Sequence, residues 1–193
     1  MCGIIGICLG HWDRMYNESF SDEYVLTCHR GQDACGIATS SGGRSSANRS
    51  RKHGRIFSCK DAGMASKVFN DGRRVIDLPG WMGIGHLRYP TWGSSGPYGV
   101  CLSHNGNLIN AEELREFLDH EAHRHVNTGS DSELMLSVFA NELNETGKAR
   151  VNENDLFSAL ERTYKRCKGA WASVIMLAGY GVCGFRDPNG IRP

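Results

Sequence analysis

Residues 1–10 read MCGIIGICLG, a cysteine and a glycine followed by an apolar run. The isoleucines and flanking glycines predict a strand over residues 3–9. Removal of Met1, which is common before a small second residue, would leave Cys2 with a thiol and a free α-amino group on one carbon. Because an ordinary thiol has a pKa of about 8.5 and an α-amino group one of about 8, the amine can accept the thiol proton near neutral pH. The opening thus predicts either a nucleophile that carries its own base or a small apolar residue at a strand start.

Composition and charge exclude several classes of protein. The chain has 193 residues, 40% of them hydrophobic and 22% charged, which is enough for a buried core in one domain. Its 22 Lys and Arg against 21 Asp and Glu give a net charge of +1. Such a balance provides no global field for nucleic acid or an anionic membrane, so we expect neither as a partner. The eight cysteines form no C-x-x-C pair and follow no signal peptide, so we expect reduced thiols and a cytoplasmic protein.

Apolar runs and helical periodicity mix irregularly along the chain. Capping-box spacing of Asn110 with Glu113, and of Ser130 with Glu133, predicts two helix starts. The predicted helices cover 110–120, 130–145 and a region around 156–164. Further strands are predicted at 35–39, 54–59, 81–87, 98–103, 171–178 and 181–186. Without a regular βαβ rhythm, this pattern favours a layered α+β fold, with the Gly/Ser-rich basic stretch at 40–55 as a flexible hairpin loop.

Three apparent motifs have simpler explanations. GYGVCG at 179–184 matches a dinucleotide-binding pattern, but Arg186, Asp187 and Pro188 follow it and predict no helix to receive a pyrophosphate. HEAHRH at 120–125 lacks the second histidine of the zinc-protease spacing and is typical of a solvated helix end. The basic run 44–55 has no interleaved aromatic residues on which RNA bases could stack, and an exposed loop explains it.

Four motifs accompany Cys2 in chain order. They are HRGQDACG at 29–36, GHLRYPTWG at 85–93, SHNGNL at 103–108 and TGSDSE at 128–133. Together with the Cys-Gly-Ile start, they resemble the glutaminase domain of class II glutamine amidotransferases, the N-terminal-nucleophile family. The resemblance implies a four-layer αββα sandwich, incomplete at its C-terminus, with one glutaminase domain over 1–193. Gln32-Asp33, the RYPT form and GFRDPNGIRP at 184–193 are similar to the branch of the family that acts in purine synthesis.

The resemblance also implies site residues. Cys2 would attack the γ-carboxamide of glutamine, and the Asn105 side-chain amide and the Gly106 N–H would stabilise the oxyanion. Arg88, assisted by Thr91, would bind the carboxylate of the amino acid, and Asp131 would bind its ammonium group. Each residue also has a plainer interpretation: an Asn-Gly hairpin turn, a surface ion pair, or a favourable acid in the first turn of a helix.

The family resemblance implies particular partners. L-Glutamine is the expected substrate, and ammonia is expected to pass to a phosphoribosyltransferase domain, which is absent from residues 1–193. The glutaminase domain needs no metal or cofactor, and Mg²⁺ is expected only with the phosphoribosyltransferase domain. The sequence leaves open whether the chain forms a homo-oligomer.

One departure from the family pattern keeps a second hypothesis open. Only WGSSGPYGVCL at 92–102 stands between RYPT and SHNG, where the family has a longer segment, so we expect one strand of a hairpin to be missing. Loss of that strand would weaken the wall beneath Arg88 and Thr91. The chain is therefore predicted to be either an active glutaminase or a catalytically inactive fragment that acts as a binding or interaction module.

Overall fold

The fold is taken from a computed structural model, which describes residues 2–9, 33–40, 55–69, 78–88, 91–95, 98–148 and 151–192. The strands in these ranges are β1 (Ile4–Cys8), β2 (Ala34–Ser40), β3 (Ile56–Ala62), β4 (Met82–His86), β5 (Thr91–Ser95), β6 (Tyr98–Leu108), β7 (Gly169–Leu177) and β8 (Gly181–Arg186). The helices are α1 (Ala65–Val68), α2 (Ala111–His120), α3 (Asp131–Asn144) and α4 (Glu153–Arg166). None of the helices in these ranges combines the length and the apolarity needed to cross a membrane.

The strands form two antiparallel sheets that pack face to face. The first sheet has the order β1-β4-β2-β3 and the second the order β5-β6-β7-β8. Because side chains alternate between the faces of a strand, each sheet has an inner and an outer apolar surface. The inner surfaces share one core, in which Ala38, Met82 and Ile84 of the first sheet meet Cys101 and Met176 of the second.

Helical segments pack against the outer surfaces of both sheets. On the second sheet, Leu102 and Ile175 pack in one cluster with Leu134 and Phe139 of α3 and Leu160 of α4. On the first sheet, Cys35, Ile37 and Leu87 pack against Ala65 and Phe69 of the α1 region. The layers therefore follow the order helix, sheet, sheet, helix, which confirms the predicted α+β fold and the αββα sandwich.

Close contacts between the two sheets define how they are aligned. A side chain at Gly6 would place its Cβ only 2.5 Å from Val174 Cγ1, so glycine is required where β1 crosses β7. Ile56 lies beside Gly99, where an added Cβ would be 3.1 Å from Ile56 Cδ1. Ile56 pairs with Ser40 at one end of the first sheet, and Gly99 lies near the beginning of β6. The opposite ends of the two sheets must then also coincide, and we call that end the site end.

Of the two predicted helix starts, only one is capped by the predicted side chain. Asn110 makes no capping bond, because its side chain instead donates to the Arg166 carbonyl at 2.8 Å and accepts from the Lys168 N–H at 3.0 Å. Ser130 does cap α3, through the N–H of Ser132. The complete capping box is at α4, between Asn152 and Asp155. The predicted loop at 40–55 lies outside the described residues except for Ser40 and Arg55.

Candidate functional site

Cys2 lies at the site end of the first sheet. Ile4 of β1 pairs with His86 of β4, and beyond this pair the Leu87 N–H donates to the Gly3 carbonyl at 2.8 Å. This bond extends the pairing toward Cys2 and brings the residue after Leu87, Arg88, to the same corner. Cys2 is partly buried and Arg88 is exposed. Cys2 and Arg88 therefore adjoin bonded backbone positions at the same corner of the sandwich.

Asn105 and Gly106 lie at the site end of the second sheet. They pair with Ala172 and Trp171 of β7, so the Asn-Gly pair is part of a long strand and not a hairpin turn. Asn105 is two positions along from Ser103 and four from Cys101, and Cys101 belongs to the core between the sheets. Strand alternation therefore directs the buried Asn105 side chain toward the first sheet.

The backbone at Gly106 admits no side chain. Its φ is +156°, and an added Cβ would lie 2.5 Å from Trp171 Cα and closer still to the Ala170 carbonyl oxygen. Glycine is required here because β6 approaches the backbone of β7 so closely. A backbone held in this way is a rigid support for the adjacent Asn105.

Asp131 is hydrogen-bonded to the same end of β6. It is the first residue of α3, and its Oδ2 accepts a hydrogen bond from the Leu108 N–H at 2.9 Å. Leu108 is two residues beyond Gly106, so the bond brings the beginning of the helix close to the Asn105–Gly106 segment. The partial positive charge at a helix N-terminus also favours a carboxylate at this position.

His104 adds no positive charge to this region. It lies on the face of β6 opposite to Asn105, buried beneath the helix layer. Burial lowers the pKa of His104 to about 4, although the negative charge of Asp131 opposes this shift. The imidazole is therefore neutral near pH 7 and leaves the charge of Asp131 available to a cationic group.

Thr91 begins the hairpin that follows Arg88. β5 pairs with β6 from Thr91 opposite Leu102 to Ser95 opposite Tyr98. The expectation that this shortened segment lacks a hairpin strand is wrong for the described residues, because both strands are present and paired. Thr91 is at the end of β5 that is nearer to Asn105. Its partner on β6 is Leu102, and Asn105 lies three residues further along β6.

Five of the six predicted residues therefore lie at the site end of the sandwich, and Thr91 begins the neighbouring strand opposite Leu102. The two sheets contribute Cys2 and Arg88 from one side and Thr91, Asn105 and Gly106 from the other, and α3 contributes Asp131. Chemically, the arrangement combines a nucleophile, hydrogen-bond donors, one cation and one anion. These are the groups needed to hold an amino acid by both charged ends while its side chain meets a thiol.

Glu133 belongs to this region in a way that the sequence did not predict. A capping box would direct its carboxylate to the N–H of Ser130, but it accepts hydrogen bonds from Asn127 and Thr128 instead. The TGSDSE motif contains the residue, yet its spacing suggested only the local cap. The contacts lie outside the helix, in the segment that precedes Asp131.

The chain is similar in sequence and in structure to known amidotransferases. Amidophosphoribosyltransferases from Schizosaccharomyces pombe and Lachancea kluyveri are 51% and 49% identical to the chain over its whole length, and the chain covers 36% and 38% of those two proteins. The structure of glutamine phosphoribosylpyrophosphate amidotransferase from B. subtilis matches 98% of this chain and 38% of that chain, with 25% identity and a TM-score of 0.72. The chain thus spans little more than a third of the length of the curated relatives it matches.

A family profile gives the assignment directly. The profile described as "Glutamine amidotransferase domain" matches residues 90–193, more than half of the chain. This match includes the motifs around Asn105 and Asp131 and confirms the resemblance inferred from the sequence. The chain therefore belongs to the glutamine amidotransferase domain family.

Proposed function

We propose that the chain hydrolyses L-glutamine to glutamate and ammonia with Cys2 as the nucleophile. The observation that carries the proposal is the convergence of the start of β1 with Asn105 and Gly106 at the site end of the sandwich. Family membership supports glutamine as the substrate. Arg88 and Thr91 bind the substrate carboxylate, and Asp131 binds its ammonium group.

The chemistry follows from a thiol and an amine on one residue. The α-amine of Cys2 takes the thiol proton, and Sγ forms a bond to the γ-carbonyl carbon of glutamine. The resulting oxyanion receives hydrogen bonds from the Asn105 amide and the Gly106 N–H. When this intermediate collapses, the C–N bond breaks and the amine returns its proton to the departing ammonia. Water, deprotonated by the same amine, then attacks the thioester carbon, and cleavage of the C–S bond releases glutamate and restores the thiol.

We also propose a destination for the ammonia. The relatives that align with the whole chain are amidophosphoribosyltransferases, and this supports transfer to a phosphoribosyltransferase domain. There ammonia attacks phosphoribosyl pyrophosphate and forms 5-phosphoribosylamine for purine synthesis. The glutaminase step needs no metal, and Mg²⁺ acts with the phosphoribosyltransferase domain.

The paired β5–β6 hairpin favours an active domain over an inactive interaction module. One argument for an inactive module is loss of a strand beneath the substrate-binding residues. Among the described residues, β5 pairs with β6 at five successive positions, so a support is present next to Asn105. Measurement of ammonia release from glutamine by the purified chain distinguishes the two functions.

The first prediction concerns the N-terminus. We expect the active protein to begin at Cys2, because a nitrogen in a peptide bond to Met1 cannot act as the base. Intact-mass measurement of an active preparation should show loss of one methionine. An active preparation with Met1 fully retained would contradict the proposed base.

The second prediction concerns selectivity among the thiols. A diazo-ketone analogue of glutamine should alkylate Cys2 before the other seven cysteines of the chain. Burial raises the pKa of Cys101 and of Cys167 to about 12, so these two thiols are protonated at neutral pH and react poorly. Peptide mapping by mass spectrometry locates the label.

Cys8 provides a matched control for the labelling experiment. It ends the strand that begins just after Cys2 and is exposed, and none of the seven cysteines that the structure describes is in a disulfide. We expect Cys8→Ser to leave labelling unchanged and Cys2→Ser to abolish it. Equal labelling of Cys2 and Cys8 by the analogue would show that Cys2 is not activated.

A further inference from the structure

The segment Asn127–Ser130, here called the pre-helix loop, leads directly into Asp131. All four of its residues are exposed, so packing against the core does not hold it in place. The position of Asp131 depends on this loop on one side and on the bond to Leu108 on the other. The loop must therefore be fixed by polar contacts if Asp131 is to be held in one place.

Glu133 provides most of those contacts. Its Oε1 accepts hydrogen bonds from the Asn127 N–H at 2.8 Å and the Asn127 amide at 3.3 Å. Its Oε2 accepts from the Thr128 N–H at 2.7 Å and the Thr128 hydroxyl at 2.5 Å. Burial raises the pKa of Glu133, but the hydrogen bonds from Thr128 and Asn127 outweigh it and hold this pKa below its usual range. The carboxylate is therefore ionised near neutral pH and accepts all four bonds.

Arg115 of α2 holds the same loop from the opposite side. Both of its terminal nitrogens donate to the Thr128 carbonyl at 3.3 Å. The N–H of Thr128 thus meets an anion from α3, and its carbonyl meets a cation from α2. Within the loop, the Ser130 N–H donates to the Thr128 hydroxyl at 3.2 Å, which joins the clamped residue to the helix cap.

We propose that Glu133, acting together with Arg115, is a positioning residue for glutamine binding: by clamping Thr128 it fixes the pre-helix loop and the Asp131 carboxylate that receives the substrate ammonium. This inference rests on the proposed function. The helix cap needs only the hydrogen bond from the Ser132 N–H to the Ser130 hydroxyl, and Glu133 takes no part in that bond. The carboxylate of Glu133 is instead directed at the loop, and its charge makes these hydrogen bonds stronger than neutral ones.

Glu133→Gln tests the clamp with little change in shape. One acceptor oxygen becomes an NH₂ group, which then faces N–H or O–H donors of the loop. Because each oxygen of Glu133 accepts two hydrogen bonds, the substitution disrupts half of them. We expect KM for glutamine to rise about five- to twentyfold while kcat changes less than about twofold, because Asp131 binds the ammonium equally in the ground and transition states. Glu116→Gln, at an exposed position on α2, is the matched control and should leave both constants unchanged.

Two further measurements separate positioning from general instability. Hydrogen exchange at the Thr128 amide should accelerate in Glu133→Gln and not in Glu116→Gln. Glutamine affinity, measured by calorimetry in a Cys2→Ala background, should fall by the same factor as KM rises. Active sites titrated by Cys2 labelling should remain at wild-type number, whereas partial unfolding would reduce that number and the apparent kcat together.

The outcomes distinguish this inference from the proposed function. If the chain hydrolyses or binds glutamine and Glu133→Gln leaves KM and affinity unchanged, the clamp is not a positioning device and the proposed function stands. A fall in kcat with an unchanged KM would also overturn the inference. If the wild-type chain neither binds nor hydrolyses glutamine, the proposed function fails and the inference fails with it.

Discussion

Asn105→Ala should lower kcat for glutamine hydrolysis by about 10²–10³ with little change in KM. The negative charge that Asn105 stabilises develops chiefly in the transition state, so its loss should not affect ground-state binding. Steady-state kinetics across a range of glutamine concentrations separates the two constants. Calorimetry with glutamine in a Cys2→Ala background should give the same affinity whether or not the Asn105→Ala substitution is also present.

Ser103→Ala is the matched control for Asn105→Ala. Ser103 is on the same strand and the same face, and its hydroxyl is buried without a hydrogen-bond partner among the described residues. Its loss removes a buried polar atom of similar depth but no proposed oxyanion donor. We expect wild-type kcat from this variant. A weaker glutamine affinity in Asn105→Ala, with kcat preserved at saturation, would show that Asn105 binds substrate and does not stabilise an oxyanion.

The strands with strong apolar character were predictable from the sequence. Predictions at 3–9 and 181–186 match Ile4–Cys8 and Gly181–Arg186 to within one residue, because short apolar runs that begin next to glycine have few alternatives. The order of these strands within the sheets was not predictable. Non-consecutive neighbours such as β1 and β4 depend on contacts between distant residues, which local periodicity does not encode.

The site strand was predicted too short for a physical reason. Apolar character ends near residue 103, and Asn105-Gly106 is the usual signal of a hairpin turn. In the structure, β6 continues to Leu108, and Gly106 is required by the close approach of β7. The polar residues that end the apolar pattern are those proposed for catalysis, so the sequence rule fails where the site begins.

Helix caps show the limit of local spacing. Asn110 and Glu113 have the spacing of a capping box, yet Asn110 bonds across the fold to residues 166 and 168. At α4, Asn152 and Asp155 form a complete capping box that the spacing rule does not predict, because the rule expects Glu or Gln at the position of Asp155. The six site residues came from the family resemblance, and the convergence of five of them at one end depends on the alignment of the two sheets.

Asp131→Ala should raise KM for glutamine by about ten- to a hundredfold and change kcat little, because one charge-assisted contact contributes about 1.5–3 kcal/mol. The substitution also removes the acceptor of the Leu108 N–H, so a change in KM alone could come from a displaced helix. Asp131→Asn separates the two causes, since its amide oxygen can still accept from Leu108 while the negative charge is lost.

If the charge binds the substrate ammonium, Asp131→Asn should raise KM nearly as much as Asp131→Ala, and only the alanine variant should lower the melting temperature. A glutamine analogue without the α-amino group extends the argument. Wild type and Asp131→Asn should hydrolyse it with equal kcat/KM, because the group that Asp131 recognises is missing. Wild-type KM for glutamine in Asp131→Asn would show that the contact with Leu108 matters and the charge does not, and the ammonium site would then have to lie elsewhere.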